Sequence, residues 1–285
     1  MTLSPTSPAS KSEMGKPDPA KSERGRAELA VIVTGGAGGG IGQGIVRTLA
    51  ARGWSLVVLD VDASRLGELA EELRQSGAAV EAILTDITAP GAAEAAVETA
   101  LAQFGRLDGL VNSAGIGLCK PLGTISDAEF DWLIDVDLRA AFRFSRAALP
   151  ALLASQGSIV SIGSVHGARS MAGYGVYAAA KAGIEAMMRG VAIDYGARGV
   201  RANTVHPGLV MSPQTESMVR AFAPDPEAWF ANYTGSKQLL PEVVTPEQIG
   251  ETVEFLLSRR AAGITGQAIT VDAGTTAMLN NREPL

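Results

Sequence analysis

The sequence predicts a single α/β domain, doubly wound, with a seven-stranded, mostly parallel sheet and helices on both faces. Two observations lead there. Seven short apolar runs (residues 29–33, 55–59, 80–84, 109–111, 158–162, 200–205 and 268–271) alternate with six longer segments of helical spacing (41–52, 64–75, 92–104, 127–153, 177–197 and 246–257). Alternation of this kind calls for right-handed crossovers between parallel strands, and near-continuous apolar runs suit strands covered on both faces. A glycine-rich turn directly after the first run is the second observation.

Taken in order, residues 1–28 are rich in Ser, Pro, Lys and Ala without apolar periodicity. Such a segment buries too little to offset its ordering entropy, so it is expected to be a disordered N-terminal tail, with the catalytic domain spanning 29–285. Val31-Ile-Val-Thr-Gly-Gly-Ala-Gly-Gly-Gly-Ile-Gly42 then reads as strand, turn and helix start. Backbone amides and a helix N-terminus brought together this way suit a pyrophosphate, which makes the domain Rossmann-like. The turn matches Gly-x-Gly-x-x-Gly in no register. Asp60 ends the second run, eighteen residues after Gly42, where a carboxylate accepts hydrogen bonds from a ribose diol. It would repel a 2'-phosphate, which favours NAD; Arg65 reads as a solvated helix residue. Asp86, followed by Ile87, comes after the third strand and is a candidate to face the adenine.

Further on, Ser126 with Glu129 and Thr245-Pro246-Glu247-Gln248 predict capped helix starts. Residues 209–240 break the alternation, with scattered aromatics, prolines and no continuous pattern. Long insertions in compact domains are commonly functional, so this segment is expected to form a lid over a substrate.

Ser164 to Lys181 carries the candidate chemistry. Tyr177 and Lys181 are four apart across three alanines, so phenol and ammonium emerge on one helical face. An ammonium beside a phenol favours the phenolate, and such a tyrosine can exchange a proton with an alcohol or carbonyl oxygen. Ser164, thirteen residues earlier, follows a strand that would deliver its hydroxyl to the same place. A second Tyr-x-x-x-Lys, Tyr233 to Lys237, is expected to be inert: its Thr-Gly-Ser interior disfavours helix, and no strand or serine precedes it at the matching distance.

Composition excludes several functions. The formal charge is −6 and no basic block stands out, so neither nucleic acid nor an anionic membrane is an expected partner. One cysteine and two histidines rule out a thiolate zinc site or a His-rich one, so no metal is expected. Cys119 itself reads as a small buried hydrophobe. With no transmembrane-length run and no apolar secretory core, a cytoplasmic location is expected.

Over roughly 29–279 the chain resembles the short-chain dehydrogenase/reductase family. Thr34-Gly35 with Gly40-Ile41-Gly42 resembles its nucleotide turn, and Asn112-Ser-Ala114-Gly115 its Asn-Asn-Ala-Gly element. Ser164, Tyr177 and Lys181 fall on its catalytic serine, tyrosine and lysine. His206-Pro207-Gly208 with Ser212 is similar to its Pro-Gly motif, and Gly266 to Gly274 resembles its final strand. The resemblance implies cofactor contacts from these turn residues and from Asn112, Ala114, Gly115, Pro207, Gly208, Val210 and Ser212. It also implies Tyr177 as acid/base, Ser164 orienting the substrate oxygen, and Lys181 on the nicotinamide ribose. Hydride transfer between NAD(H) and a secondary alcohol or ketone follows from it, as does a homotetramer. Two departures stand out. Four residues, Gly36 to Gly39, separate Thr-Gly from Gly-x-Gly where the family has three, and the family's catalytic asparagine falls on Asp137. Asp137 lies on an inward apolar stripe and needs a partner, for which Lys181 is the candidate. The alternative reading is a catalytically silent nucleotide-binding sensor or assembly protein of the same fold. Among the candidate substrate-pocket residues, Arg169 would suit a carboxylate, although an exposed turn arginine is more simply solvated.

Overall fold

The computed structural model describes residues 29–279; the expectation for the tail 1–28 lies outside the described residues. The strands are β1 (Ala30–Thr34), β2 (Ser55–Asp60), β3 (Val80–Leu84), β4 (Gly109–Asn112), β5 (Ser158–Ile162), β6 (Arg201–Pro207) and β7 (Ala268–Val271). They form one sheet in the order β3-β2-β1-β4-β5-β6-β7, and every pair is parallel. Strand order reverses beside β1, which pairs with both β2 and β4. In a parallel sheet, such a switch point opens a crevice at the carboxyl ends of the strands.

The helices are α1 (Ile41–Ala51), α2 (Ala63–Gln75), α3 (Ala92–Phe104), α4 (Asp127–Ile134), α5 (Ala140–Ser155), α6 (Gly175–Tyr195), α7 (Pro213–Phe222), α8 (Pro226–Ser236) and α9 (Pro246–Leu257). Alternate residues of each strand serve opposite faces. Val31 and Val33 join Ile45, Leu69 and Val253 in a core beneath α1, α2 and α9. Ile32 and Leu110 join Ala96, Phe144 and Ile184 in a second core beneath α3, α5 and α6. Both predicted capping boxes form, at Ser126/Glu129 and Thr245/Gln248. Among the described residues no helix is long and apolar enough to cross a membrane.

Three expectations need correction. The helix predicted over 127–153 is interrupted by a π-helical turn at Asp135–Arg139, which lies between α4 and α5 and carries Asp137. The 209–240 segment is not patternless, because it contains α7 and α8. Ser212 caps the first by accepting from the Thr215 amide, Asp225 caps the second by accepting from the Ala228 amide, and each helix has a proline in its first turn. These cap signals lie in the sequence but are overshadowed by the irregular apolar spacing. The second Tyr-x-x-x-Lys copy is helical through Ser236, with Lys237 as its C-cap. Trp229 stacks on Tyr233 at 5.4 Å and meets Phe222 at 5.7 Å, and this packing outweighs the poor propensity of Thr-Gly-Ser.

Candidate active site

A cleft of about 690 Å³ lies over the carboxyl ends of the strands, running from the β1–α1 turn to the start of α6 and α7. The glycine turn forms one wall. Gly35 has φ +65°, and a Cβ on Gly42 would stand 2.0 Å from the Gly35 carbonyl oxygen, so α1 approaches the turn as only glycine allows. Inside the turn, the Gly36 amide donates to the Leu59 carbonyl (3.1 Å) and the Ala37 amide to Asp60 Oδ2 (2.8 Å). Gly36 and Ala37 are buried, while Gly38 and Gly39 form a half-exposed tip.

Asp60 does more than the sequence suggested. It lines the cleft, yet its Oδ1 also accepts from the amides of Val61 (2.8 Å) and Asp62 (3.1 Å). With Ala37 on its other oxygen, the carboxylate ties the glycine turn to the end of β2. Thr34, whose hydroxyl carries no sequence signal of its own, does similar work on the other side. Its buried Oγ1 accepts from the amides of Ser113 (3.1 Å) and Ala114 (3.2 Å) and so fixes the loop after β4. Asp86 and Ile87 also reach the cleft; Asp86 Oδ1 accepts from the Thr88 amide, closing a local turn.

Asn112 faces elsewhere. Its Nδ2 donates to Ser145 Oγ (3.2 Å) and Ser161 Oγ (3.0 Å) inside the sheet, whereas Ala114 and Gly115 line the cleft. Gly208, Val210 and Ser212 line the cleft as well, while Pro207 is buried at the end of β6.

Ser164, two residues beyond β5, and Tyr177, in the first turn of α6, border the same cleft. Ser164 Oγ accepts from the His166 amide at 3.2 Å. Lys181 follows Tyr177 by one helical turn, with Nζ 5.6 Å from the phenol ring centroid. It is almost wholly buried, donates to the Ile162 carbonyl (3.2 Å) and pairs with Asp137 Oδ2 at 3.1 Å. The other Asp137 oxygen accepts from the Ile116 amide at 2.8 Å. The Ile162 carbonyl thus takes one of the three ammonium N–H groups, while the Asp137 pair is a close charge contact.

Aromatic rings line the mouth. His166 stacks on Tyr174 at 4.4 Å, and both meet Tyr177 edge-on, at 5.8 and 6.0 Å. Burial lowers the His166 pKa, while burial and the adjacent Cys119 raise that of Tyr174. Cys119 is exposed, contrary to expectation, because the loop after β4 carries it to the surface beside Gly173. Trp132 and Met218 border the cleft, but Trp229 and Tyr233 do not. Arg169 is exposed, yet it is not simply solvated: it donates to the Thr276 carbonyl.

A family model described as enoyl-(acyl carrier protein) reductase matches residues 36–276, nearly the whole of this domain. The chain belongs to the short-chain dehydrogenase/reductase family. It is therefore an oxidoreductase acting on CH–OH or C=O groups, and its family implies a nicotinamide cofactor, NAD or NADP. Similar family members include the oxidoreductase UcpA of Escherichia coli K12, 34% identical over 83% of this chain and 90% of the relative. A cis-4-hydroxycyclohexanecarboxylate dehydrogenase of Sinomonas cyclohexanicum is 35% identical over 88% of this chain and 98% of the relative. A cyclopentanol dehydrogenase of Comamonas testosteroni is 33% identical with the same coverage.

Proposed function

We propose that this protein transfers hydride between NAD(H) and a secondary alcohol or ketone, with Tyr177 as the acid/base. The observation that carries this reading is the shared border of Ser164 and Tyr177 on one cleft, with the Lys181 ammonium held one turn behind the phenol. A bound nicotinamide dinucleotide would supply the hydride acceptor or donor. The chain fits such a group: the glycine turn brings backbone close to the cleft without side chains, and Gly35, Gly40, Ile41 and Gly42 all line it. Asp60 on the same wall favours an unmodified ribose diol, and so NAD over NADP.

In the oxidative direction the Tyr177 oxygen takes the hydroxyl proton as hydride leaves the carbinol carbon, and in reduction it returns that proton to the new alkoxide. Ser164 Oγ orients the substrate oxygen. Lys181, fixed by Asp137 and the Ile162 carbonyl, would hold the nicotinamide ribose from one turn behind the phenol. Asp137 takes the place of the family's asparagine in supporting the lysine and a relay water. Named relatives act on cyclic alcohols, which supports an alicyclic secondary alcohol as the substrate class here, with residues 209–240 as the lid over it. A homotetramer in the cytoplasm is the assembly we infer.

The test is a fluorescence titration with NADH and, separately, NADPH, followed by a screen of cyclic alcohols and ketones. Tighter NADH binding and a turned-over cyclic alcohol support the reading; absence of binding by both dinucleotides overturns it in favour of a catalytically silent protein.

A further inference from the structure

Arg65, which the sequence suggested was merely solvated, is attached to the glycine turn. Its backbone amide donates to Asp62 Oδ1 (3.1 Å), completing the N-cap of α2, and its Nε lies 3.4 Å from Asp62 Oδ2. Aimed by that pair, the guanidinium reaches back across the β2–α2 turn, and Nη1 donates to the Gly38 carbonyl at 3.1 Å. A Cβ on Gly39 would stand 3.5 Å from the same nitrogen. Among the described residues no other hydrogen bond engages Gly38 or Gly39. The base of the turn is held by Leu59 and Asp60, and the Gly40 carbonyl already belongs to the helical ladder through the Gly44 amide.

The turn is one residue longer than the family's, and its half-exposed tip is two glycines. Glycine loses more conformational freedom on ordering than any other residue, so a tip of two glycines is costly to hold still. We propose that Arg65 is a positioning residue that fastens the tip of the lengthened phosphate turn through the Gly38 carbonyl, keeping its amides directed at a dinucleotide's phosphates. The surface ion pair with Asp62 contributes little by itself; its part is to orient the guanidinium. A turn ordered before binding leaves less entropy to be lost on association.

This inference rests on the dinucleotide reading of the cleft, so its test has one arm that needs no ligand. In ligand-free protein, Arg65→Ala should raise amide hydrogen exchange at Gly38 to Gly40 while leaving the β1 amides unchanged. The same variant should weaken NADH and NADPH alike, by about fivefold, the loss of roughly one hydrogen bond. On a background lacking Gly39, which restores the family's turn length, Arg65→Ala should change affinity less than about twofold. Unchanged exchange in Arg65→Ala overturns the proposal even if the deletion variant does not fold. Loss of NADPH binding alone also overturns it, by making Arg65 a direct phosphate contact, and so does an undiminished penalty on the deletion background. Wild-type protein that binds neither dinucleotide defeats the functional reading, and the exchange arm still decides whether Arg65 fastens the tip.

Discussion

The Asp137 carboxylate stands 3.1 Å from the Lys181 ammonium, with both side chains almost completely withdrawn from solvent. Two opposite charges taken out of water repay their desolvation only when the remaining polar atoms are also held. Here the Ile116 amide serves the carboxylate and the Ile162 carbonyl serves the ammonium. Removing one partner strands the other. Asp137→Ala should therefore lower stability by about 3–5 kcal/mol, read by urea denaturation, and should abolish turnover. Asp137→Asn keeps an acceptor for the Ile116 amide and should keep activity; if neither variant changes turnover, Asp137 has no part in the relay.

Tyr177→Phe removes only a hydroxyl from the cleft wall. Turnover should drop by about 10²–10⁴-fold, the usual contribution of a positioned acid/base, with NADH affinity within a factor of two by titration. A variant that keeps wild-type kcat would require another proton donor.

Two glycines four residues apart in the turn should respond oppositely to alanine. A Cβ on Gly42 meets the Gly35 carbonyl oxygen at 2.0 Å, which neither backbone can yield, whereas a Cβ on Gly38 meets nothing within 4 Å. Gly42→Ala should weaken NADH more than about tenfold, and Gly38→Ala should stay within about threefold. Equal effects would mean that the base of the turn does not shape the dinucleotide site.

Acid should destabilise the fold before the carboxylates titrate. Burial depresses the pKa of His166; burial also depresses that of His206, with Glu185 opposing and Lys181 reinforcing the shift. The folded protein thus binds fewer protons than the unfolded chain below the ordinary histidine value of about 6.5, so stability falls as pH drops through that range. Urea midpoints at pH 7.5 and 5.5 should differ in that sense, and the difference should shrink in His206→Asn. An unchanged difference would place the acid sensitivity in other groups.

Much of the site was legible because its signals are local. Alternating apolar runs and helical stripes specify which residues pair and which pack, and the strand–glycine turn–helix string at Val31 to Gly42 carries its own geometry. Ser164, Tyr177 and Lys181 were readable because a strand end and one helical turn set their relation. Asp60 was found for its carboxylate at a strand end, but its three backbone amide donors come from the glycine turn and the start of α2.

What the sequence by itself determined was the order of strands and helices, the glycine turn after β1 and the placing of Ser164, Tyr177 and Lys181 near one another, since each follows from periodicity or spacing within about twenty positions. Tertiary structure alone decided the rest. The Asp137–Lys181 pair was expected from the sequence, but the π-helical turn that carries Asp137 was not; Asn112 turns to Ser145 and Ser161 instead of the cleft, and Arg65 reaches Gly38 twenty-seven positions back. Those side chains are polar, and a polar group takes whichever partner packing brings within about 3 Å. That choice depends on distances between elements, which a linear pattern does not contain.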